Sequence, residues 1–186
     1  MEKILRDRRL YELLEKVDKD LALKAQVGGC EHCGGRLHRG DYPRKPRGDP
    51  GWERRYSLCC SGEGCRKRKT PPSVRFLGRK IYIGVVVVLV SAMVQGLSEG
   101  RVKRLRQELG IDRRTLKRWR EWWMRIFVQS VFWRAERGRF RRRVVEEKMP
   151  LGLVRVFGAS QREGLLNLMK FLSPISTNSC KEVMVM

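Results

Sequence analysis

Five of the chain's six cysteines fall between positions 30 and 65 in two tight groups. The first is Cys30-Glu-His-Cys33-Gly-Gly and the second is Cys59-Cys60-Ser-Gly-Glu-Gly-Cys65. In a C-x-x-C the two thiolates reach one tetrahedral ion, and the glycines that follow permit the tight turn beneath it. In the second group Cys60 and Cys65 form a C-x4-C whose Ser61–Gly64 loop makes a glycine-rich knuckle like the first. Cys59 is then a spare thiol or an alternative ligand. The expectation is one structural zinc held by Cys30, Cys33, Cys60 and Cys65, since four thiolates leave no open position for water. The competing reading is a set of small buried thiols. A thioredoxin-like redox role is disfavoured because no βαβ pattern surrounds the C-x-x-C. His32 and His38 are substitute ligands or surface phosphate contacts.

The segments around the cysteines point to a small β-hairpin unit. Arg55-Tyr-Ser-Leu58 reads as a strand entering the second group, and Pro71 and Pro72 close the unit. Between the groups, Arg39 to Arg55 is basic and turn-rich, with Pro43, Pro46 and Pro50 expected to interrupt any regular element. Met1 to Asp20 is charged throughout rather than basic and then apolar, so it reads as no secretory leader. A cytoplasmic, nucleoid-associated location follows as an expectation, and in a reducing compartment clustered cysteines hold metal more often than they form disulfides.

Charge distribution carries the next step. Lys and Arg total 42 against 20 Asp and Glu, a formal net charge of +22 in 186 residues. Residues 36–80 hold 14 basic and 4 acidic side chains, residues 101–143 hold 16 and 4, and both ends are close to balance. Such an excess attracts a polyanion. Double-stranded DNA is the first candidate, with RNA and an anionic membrane surface as alternatives. In the first block Arg44, Lys45 and Arg47 are the expected phosphate contacts.

Between the two basic blocks lies Ile81–Val94, an apolar run containing four successive valines. It is too short for a membrane span, which needs about 20 apolar residues, and reads as the buried first helix of a helical domain. The stretch that follows, Arg101 to Trp123, has the pattern of two helices and a sharp turn. Leu105 and Leu109 share a face of the first helix, Gly110 permits the turn, Ile111 plugs the corner and Asp112 caps the second helix. On that second helix Leu116 and Trp119 face back. Arg113, Arg114, Lys117 and Arg118 remain outside, the division a major-groove recognition helix needs. Arg106 stands where a small residue usually lets two such helices approach.

Together, Cys30-x-x-Cys33-Gly, the Cys60–Cys65 knuckle and Leu109-Gly-Ile-Asp-Arg-Arg-Thr-Leu-Lys-Arg-Trp119 resemble the zinc-ribbon and helix-turn-helix DNA-binding regions of bacterial transposases and related mobile-element proteins. The resemblance covers roughly residues 28–123. It implies recognition of an element's terminal repeats, with cutting done by a separate RNase H-like domain bearing three carboxylates. That domain has no counterpart here. The aspartates are Asp7, Asp18, Asp20, Asp41, Asp49 and Asp112, and none follows the proposed DNA-binding helices. Nuclease chemistry through two metals lacks its ligands, and no Walker loop or G-x-S-x-G turn is present. The reading is a non-enzymatic, sequence-directed DNA-binding protein with no small-molecule substrate, acting in transposition or transcriptional control. Its alternative is a non-catalytic regulatory or targeting subunit beside a catalytic transposase or recombinase.

The expected architecture is mainly α with a small zinc-ribbon hairpin module and a three-helix helix-turn-helix core. Its divisions are an amphipathic helix over 1–27, the ribbon over 28–78, the helix-turn-helix over 79–123, a helical extension over 124–174 and a flexible tail over 175–186. Leu10, Leu14, Val17 and Leu21 give the first helix its apolar face, for packing on its own domain or for pairing into a homodimer. Trp122, Trp123, Phe127, Val131 and Phe132 predict an aromatic-rich helical continuation packed as core. Pro150–Phe157 reads as a short helix, Ser160-Gln-Arg-Glu163 as a capping box, Pro174 as a stop and Cys180 as a free thiol.

Overall fold

The spacing of leucines in the N-terminal segment produces α1, Arg8–Val27. The computed structural model describes residues 7–44, 53–77, 84–93, 98–141, 144–158 and 160–177. Asp7 caps α1 by accepting from the amides of Arg9 and Leu10. It also receives the Arg162 guanidinium, which holds its carboxyl below the usual value. The buried strip is Leu10, Leu14, Asp18 and Ala22, whereas the expected Val17 and Leu21 are only half-buried at its flank. A strip of four-residue steps winds slowly around a helix of 3.6 residues per turn, so its C-terminal half turns toward a different neighbour from its N-terminal half. Leu10 and Leu14 enter the helical core, while Ala25 packs against the cysteine-bearing β unit.

That β unit has two small antiparallel sheets. Strands β1 (Leu37–Arg39), β4 (Leu58–Cys60) and β5 (Arg68–Lys69) lie in the order β1-β4-β5, and β2 (Tyr42–Arg44) pairs with β3 (Glu53–Arg55). Contrary to expectation, Pro43 sits inside a ladder, opposite Arg54. A two-stranded sheet has only edge strands, where the missing proline N–H can point away from its partner. Pro46, Pro50, Lys45 and Arg47 lie outside the described residues. Strand β5 has no counterpart in the sequence pattern, because two residues carry no periodicity.

The remaining chain is helical. In α2, Gly84–Met93, every residue from Val85 to Val90 is buried. A helix apolar all round needs neighbours on every side, and their packing overrides the strand preference of the valines. Ile81, Tyr82, Ile83 and Val94 lie outside the described residues. Next come α3 (Glu99–Leu109) and α4 (Arg113–Glu121), then one π-helical turn, Trp122–Phe127. Trp122, Trp123, Phe127 and Trp133 are fully buried against one another, with ring centroids 4.7 Å apart for Trp122–Trp123 and 5.5 Å for Phe127–Trp133. Of the anticipated aromatic-helix core, Val131 is instead 57% exposed, at the first position of α5 (Val131–Glu136).

Two further helices, α6 (Leu151–Val156) and α7 (Gln161–Leu172), close the core. Ser160 caps α7 by accepting from the Glu163 amide. Helix α7 stops at Leu172, and Pro174 lies in a 3-10 turn over Ser173–Ser176. The segment expected to be a loose tail therefore begins inside the fold, with Ile175 and Ser176 buried. Residues 178–186, including Cys180, lie outside the described residues. No helix among the described residues is long and apolar enough to cross a membrane.

Candidate metal centre and basic helix face

The sulfurs of Cys30, Cys33, Cys60 and Cys65 converge, all within 4.8 Å of one another. The Cys30–Cys65 separation is 3.7 Å and the Cys33–Cys60 separation 3.4 Å. Four sulfurs at about 2.3 Å from a central ion form a tetrahedron with edges of about 3.8 Å, while a disulfide needs about 2.05 Å. The spacing is compatible with ligation of one metal ion and too wide for a disulfide. No carboxylate or imidazole belongs to the group, so the donor set is all soft sulfur, suited to zinc or another thiophilic ion.

Local structure explains how each sulfur arrives. In the first knuckle the Gly34 amide donates to the Cys30 carbonyl at 2.8 Å, and the Cys30 amide to the Gly35 carbonyl at 3.0 Å. Gly34 adopts φ of +69°, a conformation that favours glycine. In the second, the Cys65 amide donates to the Gly62 carbonyl at 3.1 Å, and the Gly62 amide donates to Cys60 Sγ at 3.3 Å. Two glycines give the sulfurs room. A Cβ on Gly35 would lie 3.3 Å from both Cys33 Sγ and Cys60 Sγ, and one on Gly62 3.3 Å from Cys33 Sγ and 3.5 Å from Cys60 Sγ.

Strand register separates Cys60 from Cys59. Leu37 lies opposite Cys60, and His38 opposite Cys59. Side chains alternate between faces, so Leu58 and Cys60 turn inward and are buried while Cys59 turns outward beside His38 and Arg68. Cys59 is not part of the sulfur cluster, and neither are His32 and His38; both histidines are exposed.

The thiols differ in acidity. The backbone amides of His32 and Cys33 hold Cys30 down to about 7. Although the Gly62 amide favours its thiolate, burial and the thiols of Cys33, Cys30 and Cys65 push Cys60 up to about 12. Metal-free, Cys30 and Cys60 therefore do not ionise together at neutral pH, and an ion that binds Cys60 as thiolate displaces a proton as it enters.

The second candidate surface is the outer face of α4. Gly110 takes φ of +62° and ends α3, its amide donating to the Arg106 carbonyl. Ile111 is fully buried at the corner. Asp112 accepts from the Thr115 amide at 2.7 Å, which with the surrounding α4 terminus holds its carboxyl below the ordinary value. Thr115, Leu116 and Trp119 are buried, and Arg113, Arg114, Lys117, Arg118 and Arg120 are exposed. Arg118 donates to Thr115 Oγ1 at 3.3 Å; Arg113, Arg114 and Lys117 form no ion pair among the described residues. Arg106 is exposed and does not lie between the helices.

Arg44, an expected phosphate contact, also meets the interior of the β unit. It is half-buried with its guanidinium 5.4 Å from the Phe76 ring centre. Arg75 and Arg55 lie over the same ring at 5.3 and 5.9 Å, and Arg75 also over Tyr56 at 5.3 Å. Arg55 donates to the Pro71 carbonyl at 2.7 Å, and burial lowers its pKa. Part of the first basic block is thus structural. Arg36, Arg66 and Lys67, beside the knuckles, are exposed.

The fold and site define a mainly helical protein with a small antiparallel β unit that carries a four-cysteine cluster compatible with a metal ion. Comparison of the chain with protein-family models, with curated proteins and with solved structures finds no match.

Proposed function

We propose that this protein is a non-enzymatic, sequence-directed DNA-binding protein, in which a zinc ribbon and a helix-turn-helix act together on a duplex. The observation that carries the reading is the division of α4. Its buried Leu116 and Trp119 fix its angle, and Arg113, Arg114, Lys117 and Arg118 extend outward beyond the Gly110-Ile111-Asp112 turn. Long basic side chains on a helix held by its apolar back reach phosphates and the O6 and N7 acceptors of guanine. In this reading α3, the turn and α4 form the helix-turn-helix with α2 behind them, and Arg106, pointing outward, leaves room for α3 and α4 to approach.

Zinc is the ion proposed for the sulfur cluster, as a structural clamp. The exposed Arg36, Arg66 and Lys67 around it supply sequence-independent phosphate contacts. The resemblance of these modules to mobile-element proteins supports a place beside a catalytic transposase or recombinase. Competition among duplex DNA, RNA of equal length and anionic vesicles tests the proposal. Duplex should win at moderate salt, and displacement of duplex by RNA or vesicles would overturn it.

A further inference from the structure

One buried carboxylate ties α1 to the segment Ser73–Arg75 and, through Arg75, to strand β3 of the β unit. Asp18, on α1, has a side chain only 1% exposed. Its Oδ2 accepts from Ser73 Oγ at 2.7 Å and from Arg75 Nε at 2.9 Å, and its Oδ1 accepts from the Val74 amide at 2.6 Å. Arg75 turns its other two nitrogens to the β unit. Nη1 donates to Glu53 Oε2 at 2.5 Å and Nη2 to the Arg54 carbonyl at 2.7 Å. The Ser73 amide donates to Ser176 Oγ at 2.7 Å, which brings in the C-terminal turn.

Helix α1 supports the same junction from both ends. Its 20 residues span about 30 Å. Leu10 and Leu14 are fixed in the helical core. Further along, Glu15 accepts from Tyr56 of the β unit at 3.1 Å, and Gln26 Nε2 donates to the Leu37 carbonyl at 3.0 Å. A buried ion pair adds little stability over an apolar substitute, and its best-attested use is to specify one arrangement among several. Two units that each carry a large positive excess repel each other, so their relative placement needs such a device.

We propose that the β unit and the helical unit form one rigid body that grips a single duplex at two places of fixed spacing, the knuckle arginines at one and α4 at the other, with Asp18 as the positioning residue. This rests on the DNA reading and adds the geometry of the complex. A rigid pair of contacts loses less freedom on binding than a hinged pair, so a duplex long enough to reach both is held more tightly.

The experiment uses the full-length, metal-loaded protein in two measurements. Amide relaxation gives rotational correlation times for the β unit and the helical unit separately. They should agree in the native protein and diverge in Asp18→Asn. Binding is then measured on a series of duplexes of increasing length. Native affinity should rise about tenfold or more once the duplex spans both surfaces. Asp18→Asn should lose most of that rise while keeping its affinity for the shortest duplexes. Where Asp18→Asn loses metal or helical content, Glu53→Gln, which alters the more exposed of the two carboxylate partners of Arg75, carries both measurements. Unequal correlation times in the native protein, or an undiminished rise with length in a folded variant, would overturn the proposal. Absence of duplex binding at every length would end the DNA reading, and the relaxation measurement would still decide the rigid body.

Discussion

Replacing Gly35 by alanine asks whether the four sulfurs hold an ion or merely lie close. Gly35 does not take the positive φ that would strain an alanine, so the effect is confined to its new methyl. That methyl would lie 3.3 Å from Cys33 Sγ and 3.3 Å from Cys60 Sγ. Carbon atoms pack at about 3.5–4.0 Å, and sulfur is larger, so the sulfurs or the backbone must give by a few tenths of an ångström. A metal site tolerates about 0.2 Å in its bond lengths. Cys33 is exposed, so its side chain has solvent to move into and the apo fold should tolerate the change. With metal, affinity should fall about 10- to 100-fold, as it does when the support around a ligand is disturbed. Competition with a chromophoric chelator reads this directly, with Gly138→Ala, whose added methyl would meet nothing within 4 Å, as the control. Native affinity in Gly35→Ala would refute the reasoning, because it would mean that the bound ion does not depend on the positions of the Cys33 and Cys60 sulfurs that the new methyl crowds.

Metal analysis of reduced protein should give about one zinc per chain, which Cys60→Ser removes and Cys59→Ser leaves. The reverse result would mean that the strand register is displaced by one. Asp112→Ala should cost about 1 kcal/mol through loss of the helix cap, or roughly 2–4 °C in Tm. Because the folded carboxyl is held below its ordinary value, the cap's electrostatic share is present above about pH 4 and fades as pH falls through the folded value. Native and Asp112→Ala stabilities should therefore converge in acid, and a gap that persists would contradict this. Arg75→Met leaves Asp18 buried and unpaired and should cost about 3–5 kcal/mol. The double variant Asp18→Leu/Arg75→Met should recover most of that in denaturant melts.

What the sequence disclosed was local. The C-x-x-C and C-x4-C knuckles, the Leu109–Asp112 turn and the Asp112 cap each depend on neighbouring residues, and each is found where the pattern places it. The choice between Cys59 and Cys60 was also written there, in the alternation Leu58-x-Cys60 that points both side chains to one face, but spacing rules do not consult that alternation. Asp18 was hidden by its charge. A carboxylate four residues beyond Leu14 reads as solvated until its partner is known, and Arg75 lies 57 residues away. The contact of Arg44 with Phe76 was hidden for the converse reason, since that ring belongs to a segment with no pattern of its own. The valines of α2 show tertiary packing overriding local preference.

Salt dependence of duplex binding tests the proposed function most directly. Binding affinity is measured over a range of salt for the native protein and for a variant with Arg113, Arg114, Lys117 and Arg118 all replaced by glutamine. Each phosphate neutralised contributes about 0.9 to the slope of log affinity against log salt. The native protein should show a steep slope and a preference for one sequence over random duplex, and the variant a shallower slope with that preference gone. Equal slopes and equal discrimination in the two proteins would show that α4 does not meet the duplex, and would contradict the account.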